Sequence, residues 1–501
     1  MAEKYVTVIG LEVHVELATK TKIFCGCSTA FGDSPNSHTC PICLGMPGTL
    51  PMLNGRVLEY AVAAGIAMNC DISRFCRFDR KNYFYPDNPQ NYQISQLYLP
   101  ICRDGWVEIE INEDPAQGVE KLSKAMKNPS LRTKKVGIHE IHMEEDAGKL
   151  VHDDGGDYTL IDYNRAGVPL IEIVSEPDMR TAQEVIAYLE KLRRILQYLG
   201  VSDCKLQEGS MRVDVNLSLR KEGTKELGIR TEMKNLGSFH AISRAIESER
   251  QRQQALLESG REVVQETRRW DEGKETSYAM RSKENARDYR YFPDPDLAPI
   301  CISHGFWEKI RAAQPEFCWE KRKRYKAEYD IPEYDIDIIT DSRQMAELFE
   351  ATVALGSQPK KVSNWLMGET LRLLRERNLD PSDIRFTPEN LAKLIALTES
   401  RTINSIVAKE VFEIMFTENV DPEKYVKEQG LAMVADEETL RRTAEKVIRE
   451  NPKSVQDYIR GKDRALGYLV GQTMIACGGK ADPVGASRLL KELLQQEVNE
   501  A

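Results

Sequence analysis

The chain has 501 residues, of which 41% are hydrophobic and 30% are charged. At roughly 150 residues per domain, this length predicts about three domains and excludes both a single small module and a disordered chain. The formal net charge of −10 excludes a protein that coats nucleic acid over its whole surface, while it leaves room for a local basic patch.

The N-terminal residues lack the basic and apolar regions of a secretory signal. No apolar run approaches the roughly 18 residues that span a bilayer. We therefore expect the chain to stay in the cytoplasm. In that compartment, its eleven cysteines predict reduced thiols or metal ligands rather than a disulfide framework.

Short alternating runs in residues 1–240 predict a largely antiparallel sheet with one polar face. The runs cover residues 5–17, 106–112, 136–146, 211–220 and 229–234. Two helices interrupt them. The first spans residues 181–199, with a capping box in Thr181 and Glu184 and a terminating Gly200, and the second spans residues 240–259.

The segment 291–299, YFPDPDLAP, contains three prolines and cannot continue a helix or a central strand. We place a domain boundary near residue 295, because the pattern beyond it is helical. Helices are predicted to start at Thr387 and after Asp436, Asn451 and Asp482. With a second boundary near residue 405, the predicted domains are 1–295, 296–405 and 406–501, and the fold class is α+β.

Four cysteines form a CxC pair and a CxxC pair with twelve residues between them: Cys25, Cys27, Cys40 and Cys43. This spacing suits a zinc ion held tetrahedrally by four thiolates. A zinc site without an open ligand position is structural. The alternative is four ordinary buried or free cysteines.

A second set of residues combines carboxylates with a histidine: Glu12, His14, Glu144, Glu145, Asp146 and Glu172. Glu172 lies among four apolar residues, where an isolated ionised carboxylate would be costly to bury, so it needs a cation. Oxygen-rich sites of this kind hold Mg²⁺ beside phosphate substrates. The alternative is a set of solvated or salt-bridged acids.

The loop 79–89, DRKNYFYPDNP, combines two cations, three aromatic rings and two prolines. Such a rigid loop either holds a planar or phosphorylated ligand or packs on its own rings. Arg165, Arg212 and Lys234 are further candidate partners for phosphate or carboxylate. The sequence lacks the GxxxxGK[ST], GxGxxG and GxSxG motifs, so an ATP site here would be an unusual one built on a sheet.

Taken together, these segments resemble the B-subunit family of aspartyl/glutamyl-tRNA amidotransferases over essentially the whole chain. The motifs are GLEVHVEL, FDRKNYFYPDNP, HMEEDAGK, NRAGVPLIEIVSEPD, EGSMRVDVNLSLR, EMKNLGSF, YRYFPDPD, SNWLMGE and GYLVGQTM. The resemblance implies a cradle domain with a glutamine-synthetase-like sheet, then an all-α helical domain, then an all-α tail that reaches the tRNA.

The resemblance also implies a reaction and partners. ATP phosphorylates the side-chain carboxylate of misacylated Glu-tRNA(Gln) or Asp-tRNA(Asn), and ammonia then displaces the phosphate. Because the sequence has no recognisable machinery for making ammonia, the family's glutaminase (its A subunit) and its small C subunit complete a heterotrimer. The zinc set is optional for this chemistry.

The family's roles fall on particular residues of this chain. The implied Mg²⁺ ligands are His14, Glu145 and Glu172, with Glu12, Glu144 and Asp214 nearby. The implied catalytic residues are Glu12, His14, Glu145, Arg165 and Glu172. The implied contacts to ATP or substrate phosphate are Lys81, Arg212, Asp214 and Lys234.

Basic residues in the C-terminal half are candidates for tRNA contact. They form the cluster 320–326, EKRKRYK, and a tail group of Arg441, Arg442, Lys446, Arg460, Lys462 and Arg464. The alternative for each is a solvated helix face. Two rival functions also stay open: a stand-alone ATP-dependent amide ligase acting on a free amino acid, and a non-catalytic tRNA-binding scaffold.

Overall fold

The computed structural model describes residues 4–112, 131–152, 156–280, 288–432, 437–462, 464–477 and 483–500. The chain divides into two compact units, Met1–Phe317 and Cys318–Ala501. All the described strands lie in the first unit, and the second is helical, which confirms the α+β class. The domain boundaries near residues 295 and 405 stay predictions.

The first unit is built around a large sheet with smaller strand pairs beside it. Its described strands are β1 (Tyr5–Glu16), β2 (Asp71–Ile72), β3 (Phe75–Cys76), β4 (Asp79–Asn82), β5 (Tyr92–Ser95), β6 (Cys102–Asn112), β7 (Leu131–Glu145), β8 (Lys149–His152), β9 (Thr159–Asp162), β10 (Pro169–Ser175), β11 (Met211–Lys221), β12 (Thr231–Lys234), β13 (Glu266–Asp271), β14 (Thr276–Ala279), β15 (Phe292–Pro293) and β16 (Ile300–Cys301).

The large sheet has nine described strands in the spatial order β14, β13, β12, β11, β1, β10, β7, β6, β2. Every neighbouring pair is antiparallel except β12 with β13. The five predicted strands are confirmed as parts of β1, β6, β7, β11 and β12. β1 lies near the centre, and its Leu11, Val13 and Val15 are buried on one face because successive side chains of a strand point to opposite faces.

Among its described residues, the first unit has four helices: α1 (Gly55–Ala67), α2 (Ala182–Leu199), α3 (Phe239–Glu258) and α4 (His304–Ala312). Helix α2 packs against β6, and α3 packs against β11. Both long helices were predicted to within one or two residues. Gly200 ends α2 with a φ of 67°, a left-handed conformation that glycine adopts at little cost.

One detail of the predicted capping box is wrong. The Thr181 side chain does accept the Glu184 backbone N–H, as expected. The Glu184 carboxylate, however, accepts the backbone N–H of Arg180 and not that of Thr181. It also pairs with Lys134 on β7 at 2.7 Å, so it joins the helix start to the sheet.

The proline-rich segment folds back onto the first unit. There β15 pairs with β4, and β16 pairs with β3. Arg80 on β4 holds this segment, because its guanidinium contacts Asp294 at 2.7 Å and Asp296 at 2.6 Å. The Asp294 side chain is fully buried, and the ion pair with Arg80 offsets the free-energy cost of burying its charge.

The second unit contains the remaining described helices. They are α5 (Cys318–Glu328), α6 (Glu333–Asp341), α7 (Arg343–Ala354), α8 (Pro359–Trp365), α9 (Leu371–Glu376), α10 (Pro388–Glu399), α11 (Ser405–Glu418), α12 (Pro422–Glu428), α13 (Glu437–Glu450), α14 (Pro452–Ile459), α15 (Arg464–Ala476) and α16 (Pro483–Glu500). The four predicted helix starts are confirmed at α10, α13, α14 and α16. Among the described residues, no helix is both long and apolar enough to cross a bilayer.

Two separate hydrophobic cores support these helices. One gathers buried residues from Tyr325 to Val426, with Phe349 and Phe412 fully buried in it. The other gathers buried residues from Ala444 to Leu494. Between α8 and α9, Leu366–Thr370 forms a π-helical turn that joins the two helices.

We expect Arg80→Ala to lower the free energy of unfolding by about 3–5 kcal/mol, because it leaves Asp294 buried without its cation. Urea unfolding of the full chain measures this loss. Arg56→Ala is the matched control, since Arg56 pairs with Glu59 at an exposed position and should cost under about 1 kcal/mol. Equal losses for the two variants would contradict the role given to Arg80.

Candidate active site

The polar face of the large sheet collects most of the predicted site residues. On the central strand β1, His14 lies opposite Glu172 of β10 on one side and opposite Arg212 of β11 on the other. Glu12 lies opposite Asp214, and Glu172 lies opposite His142 of β7. We call this surface the polar sheet face, and its residues are Glu12, His14, His142, Glu144, Glu172, Arg212, Asp214, Glu232 and Lys234.

A first group on this face has the donor atoms of a metal site. One ligand atom from each of His14, Glu144 and Glu172 lies within 4.8 Å of the others. His14 Nε2 is 3.3 Å from Glu172 Oε2 and 3.6 Å from Glu144 Oε1. Burial alone would raise the pKa of Glu172, but His142 and His14 outweigh it and hold the pKa well below its usual range. Glu172 is therefore an ionised carboxylate at neutral pH.

His142 contacts this group without supplying one of its three ligand atoms, and sequence reasoning missed it. Its Nε2 is 3.1 Å from Glu172 Oε2, and its ring is buried. Burial would lower the pKa of His142, but Glu172 and Glu140 overcome this and raise it to about 10. The available signal was strand alternation, because His142 lies two residues before Glu144 and must share its face.

A second group holds three carboxylates, from Glu12, Asp214 and Glu232, with ligand atoms within 4.8 Å of one another. Lys234 Nζ lies 2.5 Å from Asp214 Oδ2 and 2.9 Å from Glu232 Oε1. Burial raises the pKa of Glu12, and nearby Glu172, Glu232 and Asp214 raise it further. An ammonium group thus balances part of the negative charge here. Glu232 was not predicted, although it alternates with Lys234 in a predicted strand.

The two predicted arginines meet at one carboxylate. Arg165 Nε lies 3.2 Å from Asp146 Oδ2, and Arg212 Nη2 lies 3.1 Å from Asp146 Oδ1. Burial and the neighbouring Asp146 raise the pKa of Glu16 to about 7, although both arginines act in the opposite direction. The two guanidinium groups are partly exposed, and Arg212 lies opposite His14 of the first group.

Glu145 and Lys81 lie apart from these groups. Glu145 follows Glu144 on β7, so its side chain points away from the polar sheet face. Its carboxylate accepts N–H groups from Gln90 at 2.5 Å and from the Ile94 backbone at 2.9 Å. Burial raises the pKa of Glu145 to about 8. The structure does not bring Glu145 together with His14 and Glu172.

Glu145 instead lines a cavity of about 230 Å³ that also borders Arg80, Lys22, Cys25 and Cys43. Lys81 Nζ lies 5.2 Å from the ring centre of Tyr289, a cation–π contact. Tyr289 lies outside the loop 79–89, so this contact decides neither of the two sequence interpretations of the loop. Its predicted phosphate contact stays a prediction.

The four cysteines of the CxC and CxxC pairs come together, with their sulfur atoms within 4.8 Å of one another. A hydrogen bond from Cys25 lowers the pKa of Cys43 to about 5, whereas the pKa of Cys25 itself is raised. Thiolates are the metal-binding form of cysteine. Four sulfur donors in one place fit a tetrahedral structural metal site.

Comparisons with known proteins identify the family. A model described as "GatB/GatE catalytic domain" matches residues 7–308, and one described as "GatB domain" matches residues 347–494. The B subunit of aspartyl/glutamyl-tRNA(Asn/Gln) amidotransferase from Agathobacter rectalis is 63% identical over 98% of this chain and 100% of its own length. The proteins of that name from Lachnoclostridium phytofermentans and Caldicellulosiruptor saccharolyticus are 61% and 52% identical, over 98% of this chain and at least 99% of their own lengths. The chain belongs to this B-subunit family.

Family membership confirms the resemblance seen in the sequence. The catalytic-domain match contains both groups on the polar sheet face and the four cysteines. The family is one of glutamine-dependent ligases, so the enzyme class is confirmed as well. The roles assigned to individual residues stay predictions.

The two basic regions of the second unit differ in how exposed their cations are. In the cluster 320–326, Lys321 contacts Glu350 at 2.7 Å, and Lys326 contacts Glu333 at 3.0 Å. Arg322 likewise contacts Asp337 at 3.3 Å. Three of the six predicted tail cations also have an acidic partner, but all six are exposed, whereas Lys321 is buried. The interpretation of 320–326 as a structural helix face therefore gains support, and the tail is the better candidate for tRNA contact.

Lys234→Met tests the charge balance of the second group. In this variant three carboxylates face one another without the ammonium, so the pKa of Glu12, which is already raised above 4.5 in the folded chain, rises further. If the pKa of an acid is higher in the folded chain than in the unfolded chain, the free energy of unfolding falls as the pH rises. We expect a loss of about 1–2 kcal/mol at pH 8 and a smaller loss at pH 5.

Urea unfolding at the two pH values measures the effect. Lys274→Met is the control, because Lys274 is an exposed partner of Asp271. A loss for Lys234→Met that is independent of pH would contradict the proposed balance.

Proposed function

We propose that this chain activates and amidates the side chain of misacylated Glu-tRNA(Gln) and Asp-tRNA(Asn). The proposal places it in a cytoplasmic heterotrimer, together with a glutaminase that supplies ammonia (the A subunit) and a small C subunit. The names of the related proteins support the tRNA substrates. The observation that carries the proposal is the arrangement of the polar sheet face.

That arrangement suits transfer of a phosphoryl group. A carboxylate does not form an amide with ammonia at neutral pH until one of its oxygens becomes a leaving group. The carboxylate oxygen attacks the γ-phosphorus of ATP, ADP leaves, and an acyl phosphate forms. Ammonia then attacks the carbonyl carbon, and inorganic phosphate leaves with the C–O bonding electrons. These steps need positioning and charge neutralisation more than a protein nucleophile.

The residues present fit a divalent cation at the first group. Two carboxylates and one imidazole nitrogen converge there, and the low pKa of Glu172 keeps it ionised. When bound, Mg²⁺ would neutralise negative charge on the phosphates of ATP. His14, Glu144 and Glu172 would hold it, and Glu12 and Asp214 lie in the neighbouring group. Arg165, Arg212 and Lys234 would contact phosphate or the substrate carboxylate.

Glu145 and Lys81 are not among the proposed metal ligands. Glu145 points into the cavity behind the polar sheet face, so it is not grouped with the ligands of the first site. Lys81 stays a candidate phosphate contact from the loop 79–89. The exposed cations of the tail, Arg441, Arg442, Lys446, Arg460, Lys462 and Arg464, would bind the tRNA backbone, and this binding should weaken with salt.

Release of γ-phosphate from ATP by the heterotrimer tests the function. Glu-tRNA(Gln), uncharged tRNA and free glutamate are compared as substrates. We expect release with the misacylated tRNA alone and a loss of at least about 100-fold in Glu172→Gln. Glu176→Gln is the control, because Glu176 is half-exposed and pairs with His139 away from both groups.

Each result of that experiment has a distinct meaning. Release with free glutamate would favour the stand-alone amide ligase. No release with any substrate would favour the non-catalytic scaffold. Equal activity in Glu172→Gln and the wild type would remove Glu172 from the site.

We also propose that Cys25, Cys27, Cys40 and Cys43 bind one structural zinc ion. Metal analysis of the purified chain should find about one zinc per chain, and Cys43→Ser should lose it and unfold at a lower temperature. Cys301→Ser is the control, because Cys301 is exposed on β16, outside the group. Full zinc content in Cys43→Ser would contradict this site.

A further inference from the structure

His142 is buried against the group of His14, Glu144 and Glu172, but it is not one of these three potential metal ligands. Its side chain is about one-tenth exposed. Its Nε2 lies 3.1 Å from Glu172 Oε2 and 3.9 Å from Glu144 Oε2, while Nδ1 lies 3.4 Å from Glu140 Oε1. The ring is thus held between carboxylates on its own strand and on β10.

Glu172 Oε2 is contacted by two histidines, His14 at 3.3 Å and His142 at 3.1 Å. These contacts cannot both persist when the site is loaded. If His14 Nε2 uses its lone pair to bind a cation, that nitrogen has no proton to donate to Glu172. The contact from His142 then becomes the one that fixes the orientation of the Glu172 carboxylate.

We propose that His142 is a positioning residue, which holds Glu172 Oε2 toward a divalent cation through its Nε2–H. The inference rests on the proposed function, since it takes His14, Glu144 and Glu172 as the ligands. Carboxylates that bind metals are commonly held by such hydrogen bonds, and their removal weakens metal affinity by about 10–100-fold.

His139 is a natural comparison, because it lies on the same strand three residues earlier. Its side chain is 62% exposed, and its Nδ1 contacts Glu176 at 3.0 Å. The pairing of β7 with β10 is irregular between Ile138 and Glu140, and the His139 ring lies on the far side of this irregularity from the group of His14, Glu144 and Glu172. A variant at His139 therefore changes a histidine of this strand without touching the metal-like group.

Two conservative substitutions at His142 distinguish the role of Nε2 from that of Nδ1. The side-chain amide nitrogen of glutamine reaches about as far as Nε2, whereas that of asparagine reaches only as far as Nδ1. His142→Gln can therefore still donate to Glu172, and His142→Asn cannot. Both are polar, so the comparison does not depend on removing a buried polar group.

The experiment measures Mn²⁺ affinity of the full chain by electron paramagnetic resonance, without ATP or tRNA. Glu172→Gln identifies the part of Mn²⁺ binding that belongs to this group, and thermal unfolding confirms that each variant is folded. We expect His142→Asn to raise the dissociation constant of that part about 10–100-fold. We expect His142→Gln to stay within about threefold of the wild type, and His139→Gln to leave it unchanged.

Equal affinities in His142→Asn and the wild type would overturn the proposal, and so would equal losses in His142→Asn and His142→Gln. If His142→Asn fails to fold, a loss in His142→Gln equal to that in Glu172→Gln overturns it instead. If the Mn²⁺ affinity of Glu172→Gln equals that of the wild type, both this inference and the proposed ligand set are overturned. Phosphate release that depends on misacylated tRNA, measured separately, would still leave the proposed reaction standing.

Discussion

The alternation of the central strands imposes the main constraint on this structure. β1, β7, β10 and β11 bury one row of side chains, on the face where α3 packs against β11 and α1 against β7, so their other row must lie on the opposite face. In this chain that second row is rich in acids, including Glu12, Glu144 and Glu172. Because like charges this close raise the free energy of the folded chain, the polar sheet face needs cations. His14, His142, Arg212 and Lys234 supply part of that charge, and the groups of carboxylates that remain are suited to a metal ion.

The same alternation explains why much of the site could be predicted from sequence. Glu12 and His14 share parity on β1, as do Arg212 and Asp214 on β11, so a strand pattern alone places each pair on one face. The pattern does not give the register between strands. Placing Glu172 opposite both His14 and His142 depends on how β10 aligns with its neighbours, and that alignment is set by long-range pairing. Alternation alone places His142 on the face of Glu144 and Glu232 on the face of Lys234, whereas the contacts of His142 with Glu172 and of Glu232 with Glu12 and Asp214 depend on that alignment between strands.

Glu145 shows the opposite failure, in which a motif suggests a grouping that the strand does not allow. Adjacent acids in HMEEDAGK look like one ligand cluster in the sequence, yet neighbouring positions of a strand point to different faces. Glu144 therefore joins His14 and Glu172, while Glu145 enters the cavity beside Arg80, Cys25 and Cys43. A carboxyl group whose pKa is raised to about 8 by burial is largely neutral at pH 7. In that position it accepts hydrogen bonds from the Gln90 side chain and the Ile94 backbone.

The polar sheet face and the cavity that Glu145 lines also differ in the charge state of their carboxyl groups. The polar sheet face keeps Glu172 ionised, with arginines nearby, as phosphoryl transfer from ATP requires. The cavity that Glu145 lines holds a carboxyl group that burial drives toward the neutral form, and Lys22 and Arg80 border the same cavity. The two glutamates differ in this way because neighbouring side chains of a strand point to opposite faces, which sends Glu144 to the polar sheet face and Glu145 into the cavity.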